Sequence, residues 1–399
     1  MKISILSDIH LGHALGTERE NDPFDVLEEF LEKNIDSDLI LLAGDIFDSR
    51  SPRTDVITRA MKLFLKPLLS EKKIKIADGI GKDISQLSPM HSMGIPMVAI
   101  AGTHERRARS LINIIEALEQ AGFFIYLHCN GVVLEKNNEK VCIQGLSGVP
   151  EQFVESVLKE WNPKPVEGCV NILMLHQNLM EFMYAKEGLN LSHLPKGFDL
   201  YVSGHIHNPQ KKKLGKGMLL ICGSPVTTQL KEEETKEKGF WMFDTQKTPK
   251  LNFAPFESAR KVYIKSFTSD TKIEKIIKEI EKILSESHRK KPIIKIGISG
   301  KQAEIPTKEI LAEFEDRAII YFKKDFEEDE KMPARPLEEH KLSVQELGRK
   351  LLIQNLKEMD LEPEVFENIF ELLAEGNADK VMELLNKKSE KAQSSEKQT

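Results

Sequence analysis

The chain has 399 residues, 40% hydrophobic and 30% charged, which at about 150 residues per domain gives two or three domains. That apolar share can bury a core and excludes wholesale disorder. Lys and Arg number 57 against 63 Asp and Glu, a formal charge of −6, so a nucleic-acid site would have to be a local basic patch. The four cysteines form no CxxC pair, the opening MKISILSD is not a secretory signal, and no apolar run approaches about 20 residues. A disulfide framework, a zinc knuckle and a membrane span are thereby disfavoured, and a reducing cytoplasm is expected.

Residues 1–257 read as strands alternating with helices. Short apolar runs, each followed at once by a polar loop, are Ile3 to Leu6, Leu39 to Ala43, Met97 to Ala101, Ile172 to Leu175, Leu200 to Val202 and Met218 to Ile221. Stretches of helical period lie between them, as at Val26 to Asn34 and Leu111 to Gln120. Buried strands alternating with helices imply an α/β layered domain with its strands covered on both faces. Val132 to Leu134 and Val141 to Ile143, separated by a polar stretch with Asn137 and Asn138, predict a hairpin. Residues 74–95 fit neither period and read as an extended loop.

A second unit, 258–324, reads as a small α/β cap. Lys261 to Phe267 alternates as a strand, and Thr271 with Glu274 forms a capping-box pattern ahead of Ile273, Ile276, Ile277, Ile280, Ile283 and Leu284. Lys291 to Ile298 and Arg317 to Phe322 add two strands. Residues 325–341, acidic and bearing Pro333 and Pro336, read as a linker. A helical segment follows at 342–386, opening with Ser343 and Glu346 and carrying Leu347, Leu351, Phe366, Ile369 and Phe370. Such stripes can pack on the chain's own core, but an acidic, proline-bearing tether favours docking into a partner's groove. The tail 387–399 is polar and expected to be disordered.

Histidine and carboxylate recur where strands end. Asp8 and His10 follow the first, Asp45 the second and His104 the third; His176 follows the Ile172 run, and His205 with His207 the Leu200 run. In open α/β sheets ligands bind beyond the carboxyl ends of strands, so these groups are expected along one edge of one sheet. Two divalent cations roughly 3.5–4 Å apart can clamp a phosphate and generate hydroxide at neutral pH. Such a pair needs a bridging carboxylate, for which Asp45 beside Gly44 is the natural choice, and several neutral imidazoles. A mixed N/O set without thiolate permits manganese, iron, zinc or cobalt. An imidazole beside the cations but not ligating them, His104, would protonate the leaving alkoxide.

The order of these motifs resembles the calcineurin-like metallophosphoesterase superfamily, and an α/β layered metallophosphoesterase sandwich is expected. Within it, Ser7-Asp8-Ile9-His10-Leu11-Gly12 and Gly44-Asp45-Ile46-Phe47-Asp48 resemble the Mre-eleven/SbcD nucleases of double-strand-break repair. The Gly223-Ser224-Pro225 turn and the Gly239-Phe240 run fit the same family, so the motif resemblance covers about residues 1–245. The resemblance implies Asp8, His10, Asp45 and His207 on one cation, Asp45, His176 and His205 on the other, and His104 as the catalytic histidine. It implies manganese-dependent cleavage of DNA phosphodiesters, as a 3′ to 5′ exonuclease on duplexes and an endonuclease on single strands or hairpins. It also implies a homodimer and a Rad-fifty/SbcC-type coiled-coil ATPase as partner. Where the family has an asparagine that ligates the second cation, this chain has Thr103, a shorter and weaker ligand, and weaker binding there is expected.

Three basic clusters follow the motif loops: Arg50 with Arg53, Arg106 with Arg107 and Arg109, and Lys211, Lys212, Lys213 and Lys216. A charge run is usually a solvated face; leaving the same edge as the ligands, these could instead form a cationic rim for sequence-independent backbone contacts. Asp48 either orients a ligand histidine or caps a helix near Pro52, His13 reads as a loop residue, and His91, His128, His193, His288 and His340 as structural or surface groups. An apolar helical face between Phe24 and Ile57 is a candidate dimer surface. Two other functions stay open: a phosphoesterase on a non-DNA substrate, and a weakly catalytic DNA-end tether that organises the ATPase.

Overall fold

A computed structural model of the protein describes residues 1–71, 74–107, 111–183, 188–246, 249–300 and 307–326. Arg109, His340, the rest of the expected linker, the helical segment 342–386 and the tail 387–399 lie outside the described residues.

Each apolar run forms a strand. The chain passes through β1 (Lys2–Leu6), α1 (Asp22–Lys33), β2 (Leu39–Ala43), α2 (Thr54–Leu68), β3 (Lys75–Ile80), β4 (Met97–Ile100), α3 (Ile114–Gln120) and a short β5 (Ile125–Tyr126). The predicted hairpin follows as β6 (Asn130–Lys136) and β7 (Glu139–Leu146), then α4 (Glu151–Trp161), β8 (Val170–Leu175) and β9 (Leu200–Ser203). β10 (Gln210–Leu214), β11 (Gly217–Ile221), β12 (Gly239–Asp244) and β13 (Lys250–Pro255) complete this part.

The strands make two sheets where one was expected. Six order as β13-β12-β1-β2-β4-β5, and seven as β10-β11-β9-β8-β7-β6-β3. β1, β2, β4 and β5 run parallel in the first sheet, and β7, β8, β9 and β11 in the second. Because side chains alternate faces along a strand, each all-apolar run splits between two cores. Ile3, Leu39, Leu41, Val98, Ile143, Ile172, Met174 and Val202 fill the space between the sheets. The opposite faces of the same strands meet helices: Ile40, Leu42, Met97 and Ala99 pack on α1, α2 and α3, and Leu173, Leu175, Tyr201 and Leu219 on α4. The result is a four-layer α/β/β/α sandwich.

The cap has its own core. β14 (Val262–Thr268), α5 (Ile273–Leu284), β15 (Ile293–Gly300), α6 (Thr307–Phe314) and β16 (Ile319–Phe326) form a parallel sheet in the order β14-β15-β16. Ile276, Ile280 and Ile283 of α5 meet Ile294, Ile296 and Ile298 of β15, with Ile310 and Phe314 of α6 beside them. The cap groups with the sandwich in one unit, Met1–Glu327. Arg260 fastens it, donating to both Asp22 carboxylate oxygens at 2.7 and 2.9 Å and to the Lys291 carbonyl at 2.6 Å.

Several expectations need correction. Residues 74–95 are not all loop, since β3 pairs antiparallel with β6 across a bulge between Ile76 and Asp78. The Thr271/Glu274 capping box does not form. Lys272 is the N-cap of α5 without a side-chain cap bond, and the Thr271 hydroxyl accepts from Thr268 N instead. β16 continues through Asp325 and Phe326, two residues into the stretch read as linker. Phe24 is buried in its own chain's core, with Ile57 against the same core and the Arg59 guanidinium 3.9 Å from the Phe24 ring centroid. Among the described residues no helix is long and apolar enough to cross a membrane.

Candidate metal centre

The loops beyond the carboxyl ends of β1, β2 and β4 in one sheet, and of β8 and β9 in the other, converge. Asp8, His10, Asp45 and His104 come from the first set; His176, His205 and His207 come from the second. The centre therefore straddles the open end of the sandwich rather than one sheet's edge. Three triplets hold ligand atoms within 4.8 Å of one another: Asp8, His10 and His207; His10, Asp45 and His104; and Asp45, His176 and His205. All six expected ligands are brought together, with Asp45 in two of these triplets.

The backbone is bent to do this. Asp8, His10, Asp45 and His205 have φ of 53°, 53°, 47° and 74°, the left-handed region that Asp and His enter more readily than most side chains. Such strain persists only when the surroundings over-determine it. Here Asp8 N donates to Gly44 O and His10 N to Asp45 O, each at 3.0 Å, lacing the first two loops together. His205 N donates to Asp8 Oδ1 at 3.0 Å, tying in the second sheet. Two glycines are needed for closeness. A Cβ on Gly44 would lie 2.3 Å from His176 Nδ1, and one on Gly102 would lie 2.1 Å from Asp45 Oδ1.

Hydrogen bonds fix which ring nitrogens face inward. His176 Nδ1 donates to Ala43 O at 2.8 Å, so Nε2 points into the centre. That atom is buried and makes no hydrogen bond, although it lies 3.2 Å from Asp45 Oδ2 and 4.0 Å from Asp8 Oδ1. His10 Nδ1 donates to Asp48 Oδ1 at 3.0 Å, and His207 Nδ1 faces the Thr228 hydroxyl at 3.0 Å. Their Nε2 atoms face each other at 3.3 Å, with the His10 lone pair turned inward. Two inward-facing ring nitrogens with the Asp8 carboxylate beside them fit a cation between them. The residues present suit the two-cation assignment.

Electrostatics without ions points the same way. Burial pushes the Asp45 carboxyl up, but the His176 imidazole outweighs this and holds it well below the usual carboxylate range. Burial pulls His176 down, yet Asp45, with Asp8 behind it, carries it up to about 10. A protonated His176 thus supplies positive charge beside the two buried carboxylates. Burial, followed by repulsion from His176, pushes His205 down and favours its neutral, ligand form.

Asp48 serves the histidines, not α2. Its carboxylate reaches His10 at 3.0 Å and lies 3.6 Å from both His13 and His104, while α2 starts at Thr54 with Arg53 as N-cap. His13 is therefore a neighbour of the centre rather than a bare loop residue. His104 is half-exposed; its Nδ1 donates to Asp48 O at 2.9 Å and its ring meets that of His10 edge to face at 4.8 Å. Thr103 Oγ1 donates to Asp45 Oδ2 at 3.2 Å, so its hydroxyl borders the shared carboxylate. The buried Glu105 escaped the sequence reading, although it sits in the same run as His104. Its carboxylate accepts from Gly102 N at 2.6 Å, Phe47 N at 2.7 Å and Asp45 N at 3.2 Å, locking two ligand loops together. Burial, with the Asp45 charge, pushes it up to about 7. Ser224, whose hydroxyl donates to Asp8 O at 2.8 Å, was read only as part of a turn. His91 is a structural group, its ring nitrogens on the Ser88 and Phe124 carbonyls.

The basic residues divide. Arg53 pairs with Asp55, and Arg107 donates to Arg50 O at 2.9 Å, fastening that loop. Arg50 is exposed. Arg106 has a buried Nη1 without a hydrogen-bond partner. Lys211 and Lys212 lie on the edge strand β10 and alternate faces, with Lys212 Nζ 5.6 Å from the Phe182 ring centroid.

The sequence profile of the calcineurin-like phosphoesterase family matches residues 1–209. The DNA double-strand break repair protein Mre11 of Methanopyrus kandleri is 26% identical over 289 residues, covering 66% of this chain and 59% of that protein. The double-strand break repair protein MRE11 of Arabidopsis thaliana is 25% identical over 309 residues, covering 64% and 42%. The Mre11 protein of Saccharolobus solfataricus is 29% identical over 344 residues, covering 80% and 81%. The chain thus spans 59% of the first of these relatives and 42% of the second.

Proposed function

Because the chain belongs to the calcineurin-like phosphoesterase family, we propose that it is a two-cation DNA nuclease of double-strand-break repair. The observation that carries the cation reading is the 3.3 Å meeting of His10 Nε2 and His207 Nε2, with Asp48 and Thr228 occupying the opposite ring nitrogens. The names of the relatives supply the substrate class.

In this reading Asp8, His10, Asp45 and His207 hold one divalent cation and Asp45, His176 and His205 the other, manganese being the preferred ion. When bound, such a pair neutralises phosphate charge and lowers the pKa of water. The protein supplies placement: Glu105 and Gly44 fix the Asp45 loop, and Asp48 fixes His10. His104 keeps Nδ1 on the Asp48 carbonyl, leaving Nε2 to carry a proton towards the departing 3′ oxygen. The finer reading is a 3′ to 5′ exonuclease on duplexes and an endonuclease on single strands or hairpins. It includes a homodimer in the cytoplasm and a Rad-fifty/SbcC-type coiled-coil ATPase as partner.

The test is incubation with manganese and end-labelled duplex, beside p-nitrophenyl phosphate esters. Cleavage of DNA that His104→Ala abolishes supports the reading. Turnover of the esters alone favours a non-DNA substrate, and identical residual cleavage by wild type and His104→Ala favours the tether.

A further inference from the structure

The segment between β11 and β12 passes close behind His207 before returning to the first sheet. It carries Thr228, and then a 3-10 turn, Glu232–Thr235, in which Glu234 is buried. Glu234 Oε1 lies 3.7 Å from His207 Nδ1, and its other oxygen is paired with the buried Lys238 ammonium. A buried ion pair costs desolvation, which is repaid only by good geometry and further hydrogen bonds around it. The pair is built in on several sides. Lys236 Nζ donates to Asn208 Oδ1 at 2.8 Å and Phe256 N to Lys238 O at 2.9 Å. The cap adds its own hold: β14 packs against the 3-10 turn, and Lys295 of β15 donates to Leu230 O at 2.5 Å.

We propose that Glu234 is a positioning residue that sets the tautomer and ring orientation of His207, and that Lys238 and the cap hold it there for that task. Thr228 alone does not decide the tautomer, because a hydroxyl 3.0 Å from Nδ1 can donate or accept. An ionised carboxylate can only accept. Its charge beside Nδ1 favours the proton on that nitrogen and leaves the Nε2 lone pair turned towards His10. Carboxylates hydrogen-bonded to a ligand histidine typically change cation affinity by 10–100-fold, and Glu234, acting by its charge from 3.7 Å, belongs at the low end of that range. The cap thereby gains a physical link to the centre, through β14, the 3-10 turn and Glu234.

This inference rests on the assignment of Asp8, His10, Asp45 and His207 to one cation, and the experiment separates the two. Manganese binding is titrated calorimetrically on the full chain, and the His207 tautomer is read by ¹⁵N NMR of the cation-free protein. Glu234→Gln is expected to weaken one of two manganese sites about tenfold, leave the other unchanged, and raise the Nε2–H fraction of His207. Should Glu234→Gln fold poorly because Lys238 is left unpaired, the Glu234→Gln/Lys238→Met double variant carries the same expectation. Wild-type affinities and tautomer in whichever variant folds would overturn the role of Glu234 alone. A wild-type protein that binds no manganese would overturn the cation assignment itself.

Discussion

His176 Nε2 stands 3.2 Å from Asp45 Oδ2 at a wholly buried point, where the ring's other nitrogen is already committed to the Ala43 carbonyl. Without a cation the His176 ring carries a proton beside the Asp45 carboxylate, and a cation must displace it. Because His176 is raised from 6.5 to about 10, that proton's contribution to stability is complete below pH 6.5 and declines as pH rises towards 10. Cation binding runs the opposite way. Manganese affinity is expected to strengthen as pH rises from 6 to 9, with proton release on binding. Calorimetry in buffers of differing ionisation enthalpy measures the release, and a binding heat independent of buffer would refute it.

Asp48 holds His10 from the far side of the ring, with His13 and His104 around it. Asp48→Ala frees the His10 ring and removes the acceptor that fixes its tautomer. Manganese affinity or turnover is expected to fall 10–100-fold, while unfolding in urea changes little because α2 starts elsewhere. If Asp48 were a helix cap, the loss would instead appear as about 1 kcal/mol of stability with metal binding unaltered.

Much of this was legible beforehand because both signals are local. An apolar run such as Leu39 to Ala43 is a strand in whichever sheet it falls, and a ligand one to four residues past a strand's end emerges at the same end of the fold. Sheet membership is not local. Nothing in Ile172 to Leu175 says that it pairs with β7 instead of β4, and so two converging sheets were read as one. β3 was missed because Lys75–Ile80 contains Asp78 and Gly79, is bulged and has no fully buried residue. α6 was missed because it buries only Ile310 and Phe314. Glu105 and Glu234 look like ordinary surface carboxylates until distant backbone and side-chain partners close over them, so only the folded chain reveals their roles.

Thr103 adjoins the carboxylate shared by both ligand groups, its hydroxyl 3.2 Å from Asp45 Oδ2. A threonine side chain ends one atom short of an asparagine amide oxygen. Thr103→Asn is therefore expected to tighten the weaker of two manganese sites and leave the stronger one unchanged. Calorimetric stoichiometry on both proteins decides this: two ions bound with equal affinities in each would show that Thr103 costs the centre nothing.

Arg106 and Arg107 are adjacent but differently engaged. Arg107 is used up on Arg50 O and the Ser51 hydroxyl, whereas Arg106 has a buried Nη1 with no partner. For a phosphate contact by Arg106, Arg106→Ala should reduce the slope of log affinity for duplex DNA against log salt by about 1. Arg107→Ala should leave that slope alone and instead cost about 1 kcal/mol of stability through the Arg50–Ser51 loop. Fluorescence anisotropy over a salt series, paired with urea titration, reads both, and equal slopes in wild type and Arg106→Ala would remove Arg106 from the interface.

Asp22, buried at the start of α1, depends on cationic groups outside the sandwich: Arg260 by two oxygens, and Lys290 at 3.2 Å. Removing Arg260 leaves the carboxylate with Lys290 at 3.2 Å and the Arg19 guanidinium at 3.8 Å, and strips the Lys291 carbonyl of its donor. Losing one member of a buried pair typically costs 3–5 kcal/mol, and since Lys290 and Arg19 remain, Arg260→Ala is expected at the low end, about 3 kcal/mol. The loss should fall on the cap first, so protease cleavage near Ser258 should appear before the sandwich unfolds. Restoring neutrality tests the cause. Asp22→Asn in the Arg260→Ala background should recover part of the stability, because no bare charge is then buried; a double variant less stable than Arg260→Ala would show that Asp22 acts through some contact other than this pair.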